Sequence, residues 1–407
     1  MNVRAVISLA LASAIGSGLA SCSAIEADVE SAVARPTPEA LAEYLPVFEI
    51  EADDAALAEM LARVTEDIEI PATLSLRRGG GEVLRGVSCE IQVKGSASVY
   101  NPAVSLGVKL DGDRDNRDAR FLSVPRLLGG HDVSRLRSVR LRNGGQDFSG
   151  TLVKDLAYAR MLAETNAAVL PVYGEPACAF LNGDFYGLLN LRTETNANGV
   201  SRLTGIRKRD LLIAEVDTGA DFDIRDGDPA PFRQLEADLR AGNRAAAMAA
   251  IDEESFADYL LIGSLFAVRD WPYRNTKVYG VAGAPLRFMA YDFDGAAEIR
   301  LDFGLARHLE RAPDNPISRL FALAMTDAGF RDRLWARQRA LLASGALHPD
   351  RFRAIYADLV RAYDPVIAYQ IAAYGQPGSR AEWSLNVETN IQAYARRYAY
   401  VLEHLGE

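Results

Sequence analysis

The sequence predicts an α+β fold of two lobes, with a β-rich N-terminal half and a mainly helical C-terminal half. Short apolar runs around glycine and asparagine turn signals continue to about residue 200. After Leu320, almost all of the chain has helical periodicity. Strands and helices that occupy separate stretches are typical of an α+β fold. The 407 residues are enough for two or three domains, at roughly 100 to 200 residues per domain.

The N-terminal half contains short strands separated by turn signals. In one of them, Cys89, Ile91 and Val93 alternate toward one face, as expected for a half-buried strand. Asn182-Gly183 is a strong hairpin signal between two apolar runs. The strands are predicted at residues 72–76, 83–93, 106–110, 136–141, 168–172 and 177–190, and helices at 51–63 and 151–164.

The C-terminal half is mainly helical, with two short strands at residues 276–279 and 287–291. We expect an N-terminal lobe over residues 46–200 and a C-terminal lobe over residues 201–407, with a cleft at the junction. The helices are predicted at residues 231–250, 254–268, 329–342, 349–363, 366–374 and 387–405.

The composition excludes several classes of protein. The chain is 49% hydrophobic and 25% charged, which excludes a disordered or collagen-like chain. Its 45 basic and 55 acidic residues give a net charge of −10. Nucleic-acid binding draws its energy from basic side chains that neutralise phosphates, so an acidic chain without basic runs is not expected to bind nucleic acid.

The N-terminus has the pattern of an export signal. Residues 1–21 contain Arg4 and an apolar stretch, as signal peptides do. The sequence Leu19-Ala20-Ser21-Cys22 resembles the lipobox of bacterial lipoproteins, which implies that Cys22 is lipidated; the alternative is a plain secretory signal. Ser23 stands where a retention signal would place Asp, which favours the outer membrane, facing the periplasm or the cell surface. Residues 22–45, which include Pro36-Thr-Pro38, are expected to form a tether.

Two further cysteines, Cys89 and Cys178, lie in predicted strands. An exported chain folds in an oxidising compartment, where disulfides form. The two residues are expected either to form a disulfide or to remain as buried free thiols.

Four polar residues near the junction carry the strongest chemical signal. Asp270 follows a predicted helix, Asn275 begins a strand, and Asp292 and Asp294 end the next strand. Residues i and i+2 of a strand share a face, so the two later acids are expected on one side. Oxygen ligands suit Mg²⁺ or Mn²⁺, whereas zinc prefers His or Cys. The four histidines lie in polar contexts and are expected at the surface.

Each of these signals also has a structural interpretation. Asp270 could end a helix, and Asp294 could belong to a hairpin turn. The order Asp, Asn five residues later and then Asp also occurs in kinase catalytic loops, where these residues orient the hydroxyl nucleophile and hold metal. A second kinase-like string, Asp302-Phe303-Gly304, has no supporting motifs around it and takes a secondary place.

Five motifs occur in order over about residues 70–400. They are Val93 to Ser98 (VKGSAS), Arg140 to Asp155 (RLRNGGQDFSGTLVKD), Phe180 to Glu194 (FLNGDFYGLLNLRTE), Asp270 to Asn275 (DWPYRN) and Tyr291 to Gly295 (YDFDG). In these motifs the sequence resembles the CotH kinase family of atypical kinases. The resemblance implies a two-lobed, protein-kinase-like fold that uses ATP and Mg²⁺ or Mn²⁺ to phosphorylate protein Ser or Thr.

The resemblance also implies roles for individual residues. Asp270 would be the catalytic base, while Asn275 and Asp292 would hold metal and Asp294 would share or support that task. Glu194 would stand near the nucleotide. Arg142, with Asn143, would form a polar loop between the lobes.

The sequence departs from the family at one point. Where members usually carry a pair of lysines, this chain has Ala103 and Val104. The phosphate-binding cation would then be Lys94 or Lys109.

Three functions are consistent with these residues. The first is a monomeric, membrane-anchored kinase that acts on a protein or another hydroxyl-bearing substrate outside the cytoplasm. The second is an inactive or catalytically weak kinase-like lipoprotein with a binding or structural role in the envelope. The third is metal-dependent hydrolysis, which lacks the His or second acid of raised pKa that such chemistry favours.

Overall fold

A computed structural model describes residues 35–111, 120–128, 135–216, 219, 221–298 and 301–406. The predicted signal peptide, Cys22 and the tether up to residue 34 lie outside the described residues. Within the rest of the predicted tether, Pro38–Ala42 forms helix α1, whose Leu41 and Ala42 are buried. No helix in the described part of the chain is long and apolar enough to cross a membrane.

The α+β prediction is confirmed, because the described residues contain both sheets and helices. The chain forms two compact units, each assembled from three segments. The first unit, here called the barrel unit, comprises the described residues up to Val153 together with Glu175–Arg192 and Leu359–Asn386. The second, here called the helical unit, comprises Lys154–Gly174, Thr193–Asp358 and Val387–Glu407.

The barrel unit is built around a closed barrel of seven strands, a closure that the sequence did not predict. Parallel pairing of β1 with β6 closes it, with Val47 opposite Cys178. The order around the barrel is β1-β2-β3-β4-β5-β7-β6. The strands are β1 (Val47–Ala52), β2 (Glu69–Arg78), β3 (Gly81–Lys94), β4 (Ser105–Leu110), β5 (Ser138–Arg142), β6 (Gly174–Leu181) and β7 (Asp184–Thr193).

Alternation along the strands explains the core of the barrel. In β2, Ile70, Leu74 and Leu76 are buried while their neighbours are more exposed. Helices α1, α2 (Asp54–Ala62) and α12 (Ile367–Tyr374) lie wholly in this unit. A hydrogen bond connects helix α12 to the barrel: the Leu188 N–H of β7 donates to the Gln370 side-chain oxygen at 2.9 Å.

Cys89 and Cys178 are free, buried thiols, so the structure contains no disulfide between them. They lie on β3 and β6, which are three strands apart in the closed barrel of seven. A disulfide requires Cα atoms within about 7 Å, and adjacent strands alone are already about 4.8 Å apart. Burial raises the pKa of the Cys89 thiol to about 12.

The helical unit contains a four-stranded sheet with the order β11-β10-β8-β9. Its strands are β8 (Leu211–Val216), β9 (Asp223–Asp226), β10 (Thr276–Val281) and β11 (Arg287–Ala290). Helices lying wholly in this unit are α3 (Lys154–Ala163), α4 (Ala197–Thr204), α5 (Ala230–Ala241), α6 (Arg244–Ala249), α7 (Glu253–Phe266), α8 (Leu305–Leu309), α9 (Pro316–Ala324) and α10 (Ala328–Ala343). Helices α11 (Pro349–Tyr363) and α13 (Arg380–Glu403) contribute residues to both units.

The register of this sheet aligns three charged or polar positions. Strand β10 is central and antiparallel to both neighbours, so Lys277 lies opposite Glu215 of β8 and Thr276 lies opposite Ala290 of β11. The chain therefore enters β10 and leaves β11 at the same end of the sheet.

Candidate functional site in the helical unit

The end of helix α7 leads into a loop, residues 267–275, that contains Asp270. The helix ends because Ala267 adopts a left-handed conformation with φ of 47°. Two backbone hydrogen bonds then join the end of α7 and this loop to residues 292–298: the N–H of Ala297 donates to Phe266 O, at the end of the helix, at 2.9 Å, and the N–H of Arg269 donates to Gly295 O at 3.0 Å. The loop that carries Asp270 is thus held beside the loop that carries Asp292 and Asp294.

Asn275 and Asp292 lie at the shared end of β10 and β11. Asn275 immediately precedes β10, and Asp292 follows β11 by two residues. Both have left-handed backbones, with φ of 60° and 66°, and both are half-buried. Non-glycine residues adopt this conformation at a cost, and such residues cluster at functional sites. Asp294, in the turn that follows, is buried.

Two consecutive residues at the start of α3 hold the 292–298 loop. Asp155 accepts a hydrogen bond of 2.7 Å from the Phe293 N–H, between the two predicted acids. Lys154, which is almost completely buried, pairs with Glu298 at 2.7 Å. Because Asp155 is also buried, its bond to the loop is shielded from competing water.

Arg269 links the Lys154–Glu298 ion pair to the candidate base. Its guanidinium lies 3.2 Å from Glu298 and 3.5 Å from Asp270. The Asp270 side chain is 45% exposed, so it is accessible to a substrate while one of its oxygens faces Arg269.

A second cluster, here called the Glu215 cluster, is centred on strands β8 and β10 and consists of Glu215, Lys277, Tyr291, Thr195 and Arg225. The Tyr291 hydroxyl donates to Glu215 Oε1, while Lys277 Nζ lies 3.6 Å and Arg225 Nε 3.1 Å from Glu215 Oε2. Lys277 Nζ also donates to Thr195 Oγ1 at 3.1 Å and lies 4.9 Å from the centre of the Tyr291 ring.

The electrostatics of the Glu215 cluster favour an ionised carboxylate. Burial acts to raise the pKa of Glu215, but the charge of Lys277 and the hydrogen bond from Tyr291 outweigh it, and the pKa falls below its ordinary value. Burial, reinforced by the Glu215 charge, raises the pKa of Tyr291 well above its usual range. Tyr291 therefore remains a neutral hydrogen-bond donor next to Asp292.

The donor set at the shared strand end fits a metal that binds mainly to phosphate and water. Among the described residues, no group of three or more His, Cys, Asp or Glu is arranged to hold a metal ion. Mg²⁺, however, is usually bound through one or two carboxylates plus substrate phosphates and water. Asn275 and Asp292 would each offer a side-chain oxygen to the metal, which matches the need for one or two protein ligands.

The structure brings five of the predicted site residues into the helical unit: Asp270, Asn275, Asp292, Asp294 and Glu194. Glu194 is buried and immediately precedes Thr195, the hydrogen-bond partner of Lys277.

The other three predicted site residues, Lys94, Lys109 and Arg142, lie on strands of the barrel unit. Lys94 donates to Gln92, and its aliphatic chain covers Gly107. Lys109 pairs with Glu90 and Glu69.

The loop after β5 is well ordered by hydrogen bonds. Arg142 is buried at the end of the strand. The Asn143 side chain donates to Ala103 O at 2.6 Å and to Ser98 O at 3.0 Å, and accepts from the Ser105 hydroxyl at 3.0 Å. Ala103, which stands near the position of the family's lysines, is completely buried in this network.

Sequence reasoning assigned no role to the residues that hold the site together, namely Lys154, Asp155, Glu215, Lys277 and Glu298, although Lys154 and Asp155 end the Arg140 to Asp155 motif. Strand β8 was not predicted, although Leu211 to Val216 is an apolar run interrupted only by Glu215. One expectation about the histidines is wrong, because His308 is buried against the rings of Trp271 and Phe303.

The family comparison agrees with the motifs found in the sequence. A family model described as CotH kinase protein matches residues 91–401. The chain is therefore a kinase-like protein. More particularly, it belongs to the CotH kinase family, which confirms the resemblance noted from the sequence. A search of curated proteins gives no match.

Proposed function

We propose that this protein is an atypical kinase that transfers the γ-phosphoryl group of ATP to a protein Ser or Thr, or to another hydroxyl group. The observation that carries the proposal is the pairing of two loops: hydrogen bonds hold the loop of Asp270 against the loop of Asp292 and Asp294. A proton acceptor and oxygen donors for a metal then lie on neighbouring segments of one unit. Phosphoryl transfer requires mostly such positioning and charge neutralisation.

The proposed roles follow from exposure and position. The exposed carboxylate of Asp270 accepts the proton of the substrate hydroxyl. At the same time the oxygen of that hydroxyl forms a bond to the γ-phosphorus, and the bond between the γ-phosphorus and the β–γ bridging oxygen breaks. Asn275 and Asp292 would hold Mg²⁺ or Mn²⁺, and Asp294 supports their loop or shares that task. When bound, the metal neutralises charge on the phosphate oxygens.

The proposed location is outside the cytoplasm. The lipobox-like sequence that ends at Cys22 supports a lipoprotein of the outer membrane that faces the periplasm or the cell surface. We infer that the chain is a monomer attached through this lipid, and that its acceptor is a protein or another hydroxyl-bearing molecule of that compartment.

The proposal is tested by nucleotide binding in the Asp292→Ala variant. With ATP at about 100 times its Kd, the wild type should gain roughly 2.7 kcal/mol of stability and melt several degrees higher in the presence of Mn²⁺. Loss of the Asp292 oxygens should abolish this shift, together with ³²P transfer from ATP to the chain itself or to an envelope-protein extract. Thermal denaturation and autoradiography measure the two effects.

The matched control is Asp302→Ala, in the other kinase-like string. Asp302 is exposed and belongs to none of the contacts described above, so this variant should behave as the wild type. A folded wild type that gains no stability from ATP with Mg²⁺ or Mn²⁺ would contradict the proposal. That result would favour a non-catalytic binding or structural role, which the buried Ala103 near the position of the family's lysines also supports.

A further inference from the structure

Lysine is scarce in this protein and its placement is therefore informative. The chain has 45 basic residues, of which only Lys94, Lys109, Lys154, Lys208 and Lys277 are lysines. All of the other Lys and Arg residues in the chain are arginines. A lysine ammonium is a compact point charge that binds phosphate in many nucleotide sites, whereas the guanidinium of arginine is a planar fork.

Lys277 is the lysine embedded among the predicted site residues. Its side chain is only 8% exposed. It lies two residues after Asn275, as the second residue of β10. Its ammonium faces the ring of Tyr291, the residue before Asp292, and donates to Thr195, the residue after Glu194.

The surroundings of Lys277 allow it to bear a charge although it is buried. Glu215 lies opposite on β8 and supplies a carboxylate at 3.6 Å. A buried charge is tolerated when it is paired in this way. An ammonium has three N–H donors and can serve several acceptors. A phosphate bound near Asn275 and Asp292 would add a further negative charge close to the Lys277 ammonium.

The other lysines have different settings. Lys94 and Lys109 are held by neighbouring side chains on strands of the barrel unit. Lys154 is buried and pairs with Glu298, and Lys208 is exposed at the start of a short 3-10 helix.

We propose that Lys277 binds the phosphate groups of the nucleotide and so replaces the lysine pair that this chain lacks. This inference rests on the proposed function and names the cation of the same site. It differs from the sequence-based expectation, which assigned that role to Lys94 or Lys109.

The test compares ATP with adenosine, which has no phosphate, in the full chain with Mn²⁺. The variant is the double substitution Lys277→Met with Glu215→Gln, because Lys277→Met alone would leave the Glu215 carboxylate buried without its lysine. Its affinity for ATP should fall by about tenfold or more, the scale of a lost charge-assisted hydrogen bond. Its affinity for adenosine should match that of the wild type, since the missing contact is to phosphate. Competition binding and melting temperatures without ligand measure affinity and folding.

Three matched controls, Lys94→Met, Lys109→Met and Lys208→Met, should retain the ATP affinity of the wild type within about twofold. Unchanged ATP affinity in the double variant would overturn this inference alone, and so would an equal loss of ATP and adenosine binding. A tenfold loss in Lys94→Met or Lys109→Met with none in the double variant would return the role to the barrel unit. A wild type that binds no ATP with Mn²⁺ would overturn the proposed function and this inference with it.

Discussion

At the scale of the residue, Asn275 and Asp292 combine backbone strain with the chemistry of a ligand. Each has a positive φ, a conformation whose cost is on the order of 1–3 kcal/mol for most residues and smaller for Asn and Asp. Ala297, in the same loop as Asp292, has a φ of 49° but no side-chain oxygen. Glycine substitutions at Asp292 and at Ala297 therefore distinguish the effect of backbone strain from the effect of a lost metal ligand.

Glycine at either position should relieve strain, but only one substitution should affect binding. We expect Asp292→Gly to leave the free energy of unfolding unchanged or to raise it by up to about 1 kcal/mol, since glycine tolerates a positive φ. The same variant should lose the stabilisation by ATP with Mn²⁺. Urea unfolding with and without the ligand measures both effects.

The control is Ala297→Gly, which relieves similar strain without removing an oxygen donor. It should unfold at the same or higher urea concentration and retain the response to ATP with Mn²⁺. Retention of that response by Asp292→Gly would show that the Asp292 carboxylate is not a ligand.

At the scale of the element, helix α3 sets the position of the 292–298 loop. The Asp155 carboxylate accepts from the buried Phe293 N–H at 2.7 Å. Asp155→Ala would leave this N–H without its acceptor, at a cost of about 1–3 kcal/mol. The amides of residues 292–298 should then exchange with deuterium faster than in the wild type, as hydrogen exchange with mass spectrometry can measure.

Asp155→Asn is the conservative control, because its amide oxygen can still accept from Phe293. Exchange in that loop should remain closer to the wild-type rate. Equal exchange rates in Asp155→Ala and the wild type would mean that other contacts of the loop determine its order.

The elements that could be predicted are those fixed by local pattern. Strands β10 and β11 lie close to the predicted residues 276–279 and 287–291, because alternation and turn residues act over a few positions. The barrel could not be predicted, since its closure depends on β1 pairing with β6, more than 100 residues away. Contacts between distant segments leave no periodic signal in either one.

The candidate site shows the same limit. The polar residues near the junction stood out because acids and an amide interrupted apolar runs. Asp155 and Glu215 did not, because their importance arises only when α3 and β8 pack beside the loops of Asp292 and Asn275. Local sequence thus indicated the proposed ligands, whereas the residues that position their loops could be recognised only in the tertiary structure.

At the scale of the whole molecule, neither of the two compact units is a continuous stretch of the chain. The predicted lobes divide at residue 200, whereas Leu359–Asn386 belongs to the barrel unit and Lys154–Gly174 to the helical unit. Tyr363 shows the physical reason, because its hydroxyl donates to Leu189 O of β7 at 2.6 Å across a long stretch of sequence. Truncation at residue 200 would therefore leave strands of the barrel without their covering helices.

Attachment to the membrane is predicted to depend on one atom, the sulfur of Cys22. On expression in a bacterium, Cys22→Ala should abolish incorporation of radiolabelled palmitate and release the protein from the membrane fraction, because without the thiol there is no site for the lipid. Ser23→Asp is the matched control: it retains the thiol, so labelling should persist while the protein moves to the inner membrane. Palmitate labelling and membrane fractionation measure both outcomes. Labelling of Cys22→Ala equal to that of the wild type would contradict the lipoprotein proposal.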